Sequence, residues 1–181
     1  MWIYGFSLIS EFYVENNINE ISKIILFNAL VAQIEKDEKP DIIIVGIPGG
    51  IMKLNDTITN KFGIFAYEVS QAINPDLVIF STIYQNFKPE YFKMVNNLLK
   101  FRLGYEADYF NISISQFDWD NSFQSKQENY LTTLPDFIDK KIVSYKNVDI
   151  PVFNIFNQVD RNNISKNIIE RLEDYGQIEI I

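Results

Sequence analysis

Apolar residues return along this chain in two alternating rhythms. Short β-branched runs bounded by turn residues alternate with longer stretches in which apolar side chains recur every three or four positions. The first rhythm predicts strands at residues 2–9, 42–45, 77–83, 109–116, 151–157 and 177–181. The second predicts helices from Asn16 or Asn17 to about Lys36, and over 59–73, 88–104, 134–144 and 162–175. Asn74-Pro75-Asp76 and Lys39-Pro40 punctuate the chain, Pro89 suits a first helical turn, and Gly104 suits a helix stop. The polar stretch 118–129 reads as a loop. Strand and helix alternate about five times, which implies parallel strands joined by crossovers with helices on both faces. The expectation is a single α/β domain over residues 1–181, a three-layer α/β/α sandwich on a mostly parallel, Rossmann-like sheet of five or six strands.

The most informative run is Asp41-Ile42-Ile43-Ile44-Val45-Gly46-Ile47-Pro48-Gly49-Gly50. Four consecutive β-branched residues suit a strand covered on both faces. The glycine turn would then lie at the carboxyl end of that strand, where open α/β sheets place ligands.

Composition narrows the chemistry. The chain has 181 residues, 47% hydrophobic and 15% aromatic, which is ample for a core. A net charge of −8 and a pI near 4.6 oppose binding to nucleic-acid phosphates or anionic lipid. Cysteine and histidine are both absent, so disulfides, thiolate nucleophiles, thiolate or imidazole metal ligation and a Ser-His-Asp triad fall away for this chain. No apolar run reaches the length of a bilayer span, and residues 1–6 lack the basic start of a signal peptide. The expected setting is the cytoplasm.

Candidate ligand contacts follow from the strand ends. Gly46, Gly49 and Gly50 offer backbone N–H groups to a phosphate or carboxylate. The run lacks the Gly-Lys-Ser/Thr ending of a P-loop and is not a G-x-G-x-x-G fingerprint, and its plainer reading is a tight turn needing positive φ. Asn55, Asp56 and Thr57 follow it and read first as helix caps, with ligand contact as the alternative. Ser81, Asp118, Asp120 and Asn157 stand at the ends of later strands. Asp118 and Asp120 are the best carboxylates for oxygen-ligated Mg²⁺, although a solvated loop is the plainer reading. Asn157-Gln158-Val159-Asp160 resembles a guanine-reading motif but has Gln158 where lysine is needed. Glu68, inside an otherwise apolar helix, is expected to face water. No cofactor or resident metal is specified.

Residues 41–81 resemble a clostridial peptide-maturation-system protein family, encoded beside short bacteriocin-like precursor peptides. The resemblance rests on Gly46-Ile47-Pro48-Gly49-Gly50, on Asn60-x-Phe62-Gly63 and on Tyr67-Glu68-Val69-Ser70-Gln71. It implies that this chain is the carboxyl-terminal portion of a longer protein, which agrees with a start in a strand. It also implies an accessory or binding role in maturation of a ribosomally made peptide, with the precursor peptide or a maturation enzyme as partner. The family supplies no catalytic residues to transfer. Two other classes stay open: a Mg²⁺-dependent enzyme acting on a nucleotide or phosphorylated small molecule, and a homodimerisation module built on exposed aromatics.

Overall fold

The computed structural model describes residues 18–53, 55, 56 and 59–176, which fall into two compact units, Met1–Asn74 and Pro75–Ile181. The expected strands at 2–9 and 177–181 lie outside the described residues.

In the first unit, helix α1 (Glu20–Glu38) begins where the Asn19 side chain accepts the Ser22 N–H at 2.9 Å. It ends at Lys39, which turns left-handed at φ 46° and is followed by Pro40. Helix α2 (Ile64–Ala72) follows a turn in which Lys61 and Phe62 are also left-handed. Gly63 at φ 71° is required there twice over, because a Cβ would lie 2.3 Å from the Ile51 carbonyl oxygen. Phe27, Val69 and Ala72 form the core, packed by Ile24, Leu30, Val31, Val45, Ile47 and Phe65 among others. The Asn28 amide ties the helices by donating to the Ala72 carbonyl at 2.6 Å.

Residues 42–45 do not form the expected buried strand. They join no ladder among the described residues, and Ile42, Ile43 and Ile44 are 47%, 38% and 87% exposed. Only Val45 and Ile47 turn onto the helices, so the run is apolar without being covered on two sides. A β-branched run fits a strand but does not create the neighbour that pairs with it.

The second unit is an α/β arrangement on a mostly parallel sheet of four strands. Its elements are β1 (Ile79–Tyr84), α3 (Pro89–Leu103), β2 (Tyr109–Phe117), α4 (Trp119–Ser125), β3 (Tyr130–Thr132), α5 (Pro135–Ile142), β4 (Val152–Phe153) and α6 (Gln158–Gly176). Strand β1 runs parallel to β2 from Ile79↔Tyr109 to Tyr84↔Gln116, with a register shift after Thr82. The other edge of β2 is shared. Strand β4 pairs parallel with Phe110 and Asn111, and β3 pairs antiparallel with Ser115–Phe117.

Residues 109–116 alternate in sequence like a strand with one wetter face, but Tyr109–Ile112 are all buried. Its neighbours explain this. Phe92 of α3 is fully buried and meets Phe110 edge to face at 5.1 Å and Tyr145 at 4.9 Å. Phe92, Val95, Leu99 and Leu103 recur at helical spacing and form the buried stripe of α3, which stops at Gly104 with φ 88°. Ile138 of α5 is also fully buried.

Three boundaries differ from expectation. The polar stretch 118–129 contains α4, whose missing apolar stripe hid it, and β3 follows directly. Strand β4 stops at Phe153 because the chain turns sharply at Asn154, and α6 therefore starts at Gln158. No helix of the described residues is long and apolar enough to cross a membrane.

Candidate functional site

The glycine turn and the strand ends fall in different units. Gly46, Gly49 and Gly50 belong to the first unit, and the sheet with Ser81, Asp118 and Asn157 at its strands belongs to the second. Gly49 has φ 91°, the positive value that a glycine turn supplies, whereas Gly46 needs no such conformation. Asp56 is exposed and accepts from Lys53 Nζ at 2.7 Å, a local pair, and Asn55 is exposed beside it. Thr57 lies outside the described residues.

In the second unit the sequence-predicted residues are engaged structurally. Asn111 Nδ2 donates to Ser81 Oγ at 3.2 Å, and Asn111 Oδ1 accepts the Ile155 N–H at 3.0 Å. The Asn111 amide thus bridges β1 to the turn beyond β4. In that turn Asn154 is fully buried. Its Nδ2 donates to Asp139 Oδ1 at 2.9 Å and its Oδ1 accepts the Phe156 N–H at 3.0 Å. Its backbone N–H donates to Asp160 Oδ2 at 3.2 Å. Asn157 donates from Nδ2 to Asp139 Oδ2 at 2.7 Å, while its Oδ1 accepts the N–H groups of Val159 and Asp160. Asn157 is therefore the cap of α6. Asp139, Asn111 and Asn154 were not singled out in the sequence. Their signal is weak, because it lies in the pairing of distant Asn and Asp side chains rather than in any local motif.

This network uses its donors and acceptors on one another. It locks the carboxyl end of β4 to α5 and α6 and holds few groups in reserve for a substrate. Asp118 is likewise occupied as the cap of α4, accepting from the backbone N–H of Asn121 at 3.1 Å and from its Nδ2 at 2.6 Å. These bonds hold its carboxyl below the usual range. Asp120 is exposed in the first turn of α4, where a negative charge suits the helix dipole. Among the described residues no group of three or more acidic side chains could hold a metal ion. A shallow, open depression of about 610 Å³ lies on the outer face of α3, lined by Glu90, Lys93, Met94, Leu98, Phe101 and Arg102.

The first unit holds two perturbed carboxyls, Glu68 and Glu20. Glu68 was expected in water, yet it is 2% exposed on α2, with Lys23 Nζ at 3.8 Å from Oε1. Burial pushes its pKa up to about 7, and the adjoining Glu20 carboxylate pushes in the same direction. Glu20 lies below its ordinary value, through its contact with Glu68 and its 2.8 Å bond from Lys23. Both Glu68 carboxyl oxygens are buried without a hydrogen-bond partner among the described residues, and the Lys23 ammonium stands nearby.

A different class of feature stands out around β3. Trp119, Phe123, Tyr130, Leu131 and Leu134 are 51%, 87%, 50%, 53% and 76% exposed within a span of sixteen residues. Phe117 supports two of them, stacking edge to face on Trp119 at 4.6 Å and on Tyr130 at 5.7 Å. Trp119 and Phe123 are four residues apart and so share one face of α4. Compared with known proteins, the chain matches no family model, no curated protein and no solved structure.

Two outcomes test the polar assignments. Asn154→Ala leaves the Phe156 N–H and part of Asp139 without partners, so it lowers stability by about 1–3 kcal/mol in urea unfolding. A loss near zero contradicts the network. A carboxyl raised to about 7 binds its proton more tightly when folded. Its stabilisation is fully present below its ordinary pKa of 4.5 and is lost as pH rises through 7. The depressed Glu20 acts oppositely, losing its contribution as pH falls below its ordinary 4.5. Thermal melts of Glu68→Gln should therefore exceed wild type at about pH 8 and converge with it near pH 5. Parallel pH profiles for the two proteins would contradict the assignment.

Proposed function

We propose that this chain is an accessory protein that binds a peptide, acting in maturation of a ribosomally made precursor. The observation that carries the reading is the exposed apolar cluster on α4 and β3. Five large apolar side chains crowded into one short stretch, at least half exposed and rimmed by polar groups, form a surface of the kind that meets a protein or peptide partner. The saturated polar network beyond β4 supports binding over catalysis, since its groups already serve the fold. The resemblance of residues 41–81 to the peptide-maturation family points to the same partner class. Within this reading the parallel β1–α3–β2 crossover and the parallel β4 are the centre of a Rossmann-like, three-layer sheet, and the protein works in the cytoplasm.

Phe123 provides the cleanest test, because at 87% exposure its loss leaves the fold intact. A Trp2→Phe background leaves Trp119 as the sole tryptophan, a fluorescence reporter inside the proposed surface. Titration with fragments of precursor peptides encoded beside the gene should give saturable binding that Phe123→Ser weakens about tenfold, equivalent to about 1.4 kcal/mol. The absence of binding by every fragment, or equal binding by Phe123→Ser, overturns the reading.

A further inference from the structure

The exposed cluster includes a strand whose outer edge has no neighbour among the described residues. Asp118 N–H donates to the Asn129 carbonyl at 2.9 Å, and Thr133 N–H donates to the Ile114 carbonyl at 2.7 Å. These two bonds flank Phe117↔Tyr130 and Ser115↔Thr132, which are therefore the non-hydrogen-bonded pairs of the ladder. Gln116↔Leu131 is the pair that exchanges both bonds. It follows that the N–H and C=O of Tyr130 and of Thr132 point away from β2. Strand β3 ends the sheet, and none of these four groups has a partner among the described residues. All three residues of β3 are exposed. Natural sheets usually blunt such an edge with lysine, proline or a covering element, whereas Tyr-Leu-Thr carries none of these.

The surroundings specify what would pair there. Between Phe117 and Asp136 the chain carries Asp118, Asp120, Glu128 and Asp136 against one basic residue, Lys126. Glu128 reaches the face of β3 that holds Tyr130, accepting from its hydroxyl at 2.6 Å. Desolvation and that carboxylate raise the Tyr130 pKa to about 12. A side chain placed opposite Tyr130 on an added strand meets the rings of Tyr130 and Trp119 and the Glu128 carboxylate. Lysine or arginine satisfies both, by cation–π contact and ion pairing. A side chain opposite Leu131, on the other face, lies beside the exposed Leu131 side chain. A second copy of this chain fits poorly, because pairing β3 with itself brings two acidic rims together at a net charge of −8 per chain.

We propose that β3 is a docking edge that takes up an extended peptide of alternating basic and apolar residues as an additional strand. Main-chain bonds to Tyr130 and Thr132 give the affinity, and the acidic, aromatic surround gives the selection. The proposal rests on the peptide-binding reading and names the partner's chemistry and its mode of binding.

The probe is a labelled synthetic peptide of about seven residues alternating Lys and Val, with a Glu/Val peptide as charge-reversed control. The diagnostic variant is Thr132→Pro. The Thr132 N–H faces outward, so proline removes a docking donor without breaking a native ladder bond. The Lys/Val peptide should bind and the Glu/Val peptide should not. Thr132→Pro should weaken binding about tenfold or more with a nearly unchanged melting temperature. On the wild-type protein, N-methylation of one alternate set of peptide amides should abolish binding, and methylation of the other set should be tolerated, because only one set faces β3. Equal binding by Thr132→Pro, or indifference to which set is methylated, overturns strand addition and leaves only charge attraction. If precursor fragments bind in a Phe123-dependent way while the Lys/Val peptide does not, this inference fails and the peptide-binding reading stands. If no peptide of either kind binds, both fail.

Discussion

Strand β2 must satisfy its backbone on both edges while the side chains of Tyr109–Ile112 are buried on both faces, and the second unit is organised around that requirement. No single neighbour covers it. One edge is taken by β1 along most of its length, and the other is divided between β4 at its start and β3 at its end. Buried N–H and C=O groups are expensive to leave unpaired, so each neighbour is held to a fixed register. Phe110 and Ile112 can then be fully buried only where α3 and α5 deliver Phe92 and Ile138 against the sheet. The short length of β4 follows from the same division, since the lane it occupies is needed further along by β3.

What lies beyond β4 is therefore a junction. Asn111, Asn154, Asn157, Asp139 and Asp160 fill the gap where one partner of β2 ends and the next begins, and their bonds replace the ladder that is missing there. A polar cluster at the carboxyl ends of parallel strands invites a catalytic reading. Here its members are consumed in joining β4, α5 and α6 to β2. The cost of the arrangement falls on β3, which closes the end of β2 and whose own far edge has no partner among the described residues. Exposed aromatic side chains of α4 and β3 lie in the same stretch of chain.

Periodic helices were legible in the sequence. The stripe of α3, with Pro89 at its start and Gly104 at its end, set its limits to within a residue. Strands β1 and β2 were visible as apolar runs between turn residues. Residues 42–45 were misleading, because β-branched composition reports compatibility with a sheet and cannot report whether a partner strand adjoins. Helix α4 was hidden because it is capped by Asp118 and Ser122 is its one buried residue. Strand β3 was missed because three residues give no measurable alternation. Among the site residues, Ser81 and Asn157 were found at strand ends, yet their roles are set by Asn111, which meets Ser81 across 30 positions of sequence, and by Asp139, which meets Asn157 across 18. Glu68 defied expectation because a lone carboxylate is seldom buried, and only the three-dimensional pairing with Glu20 and Lys23 stabilises it there.

Residue-resolved amide hydrogen exchange of the native protein tests the central claim most directly, since it reads which backbone groups of the sheet are paired. The amides of Asn111 and Ile112 in β2 should be among the slowest to exchange. In β3 the Leu131 amide should be protected, while those of Tyr130 and Thr132 exchange at close to the unstructured rate. Protection of all three β3 amides, or protection of Tyr130 and Thr132 with Leu131 open, would contradict the register and with it the open edge.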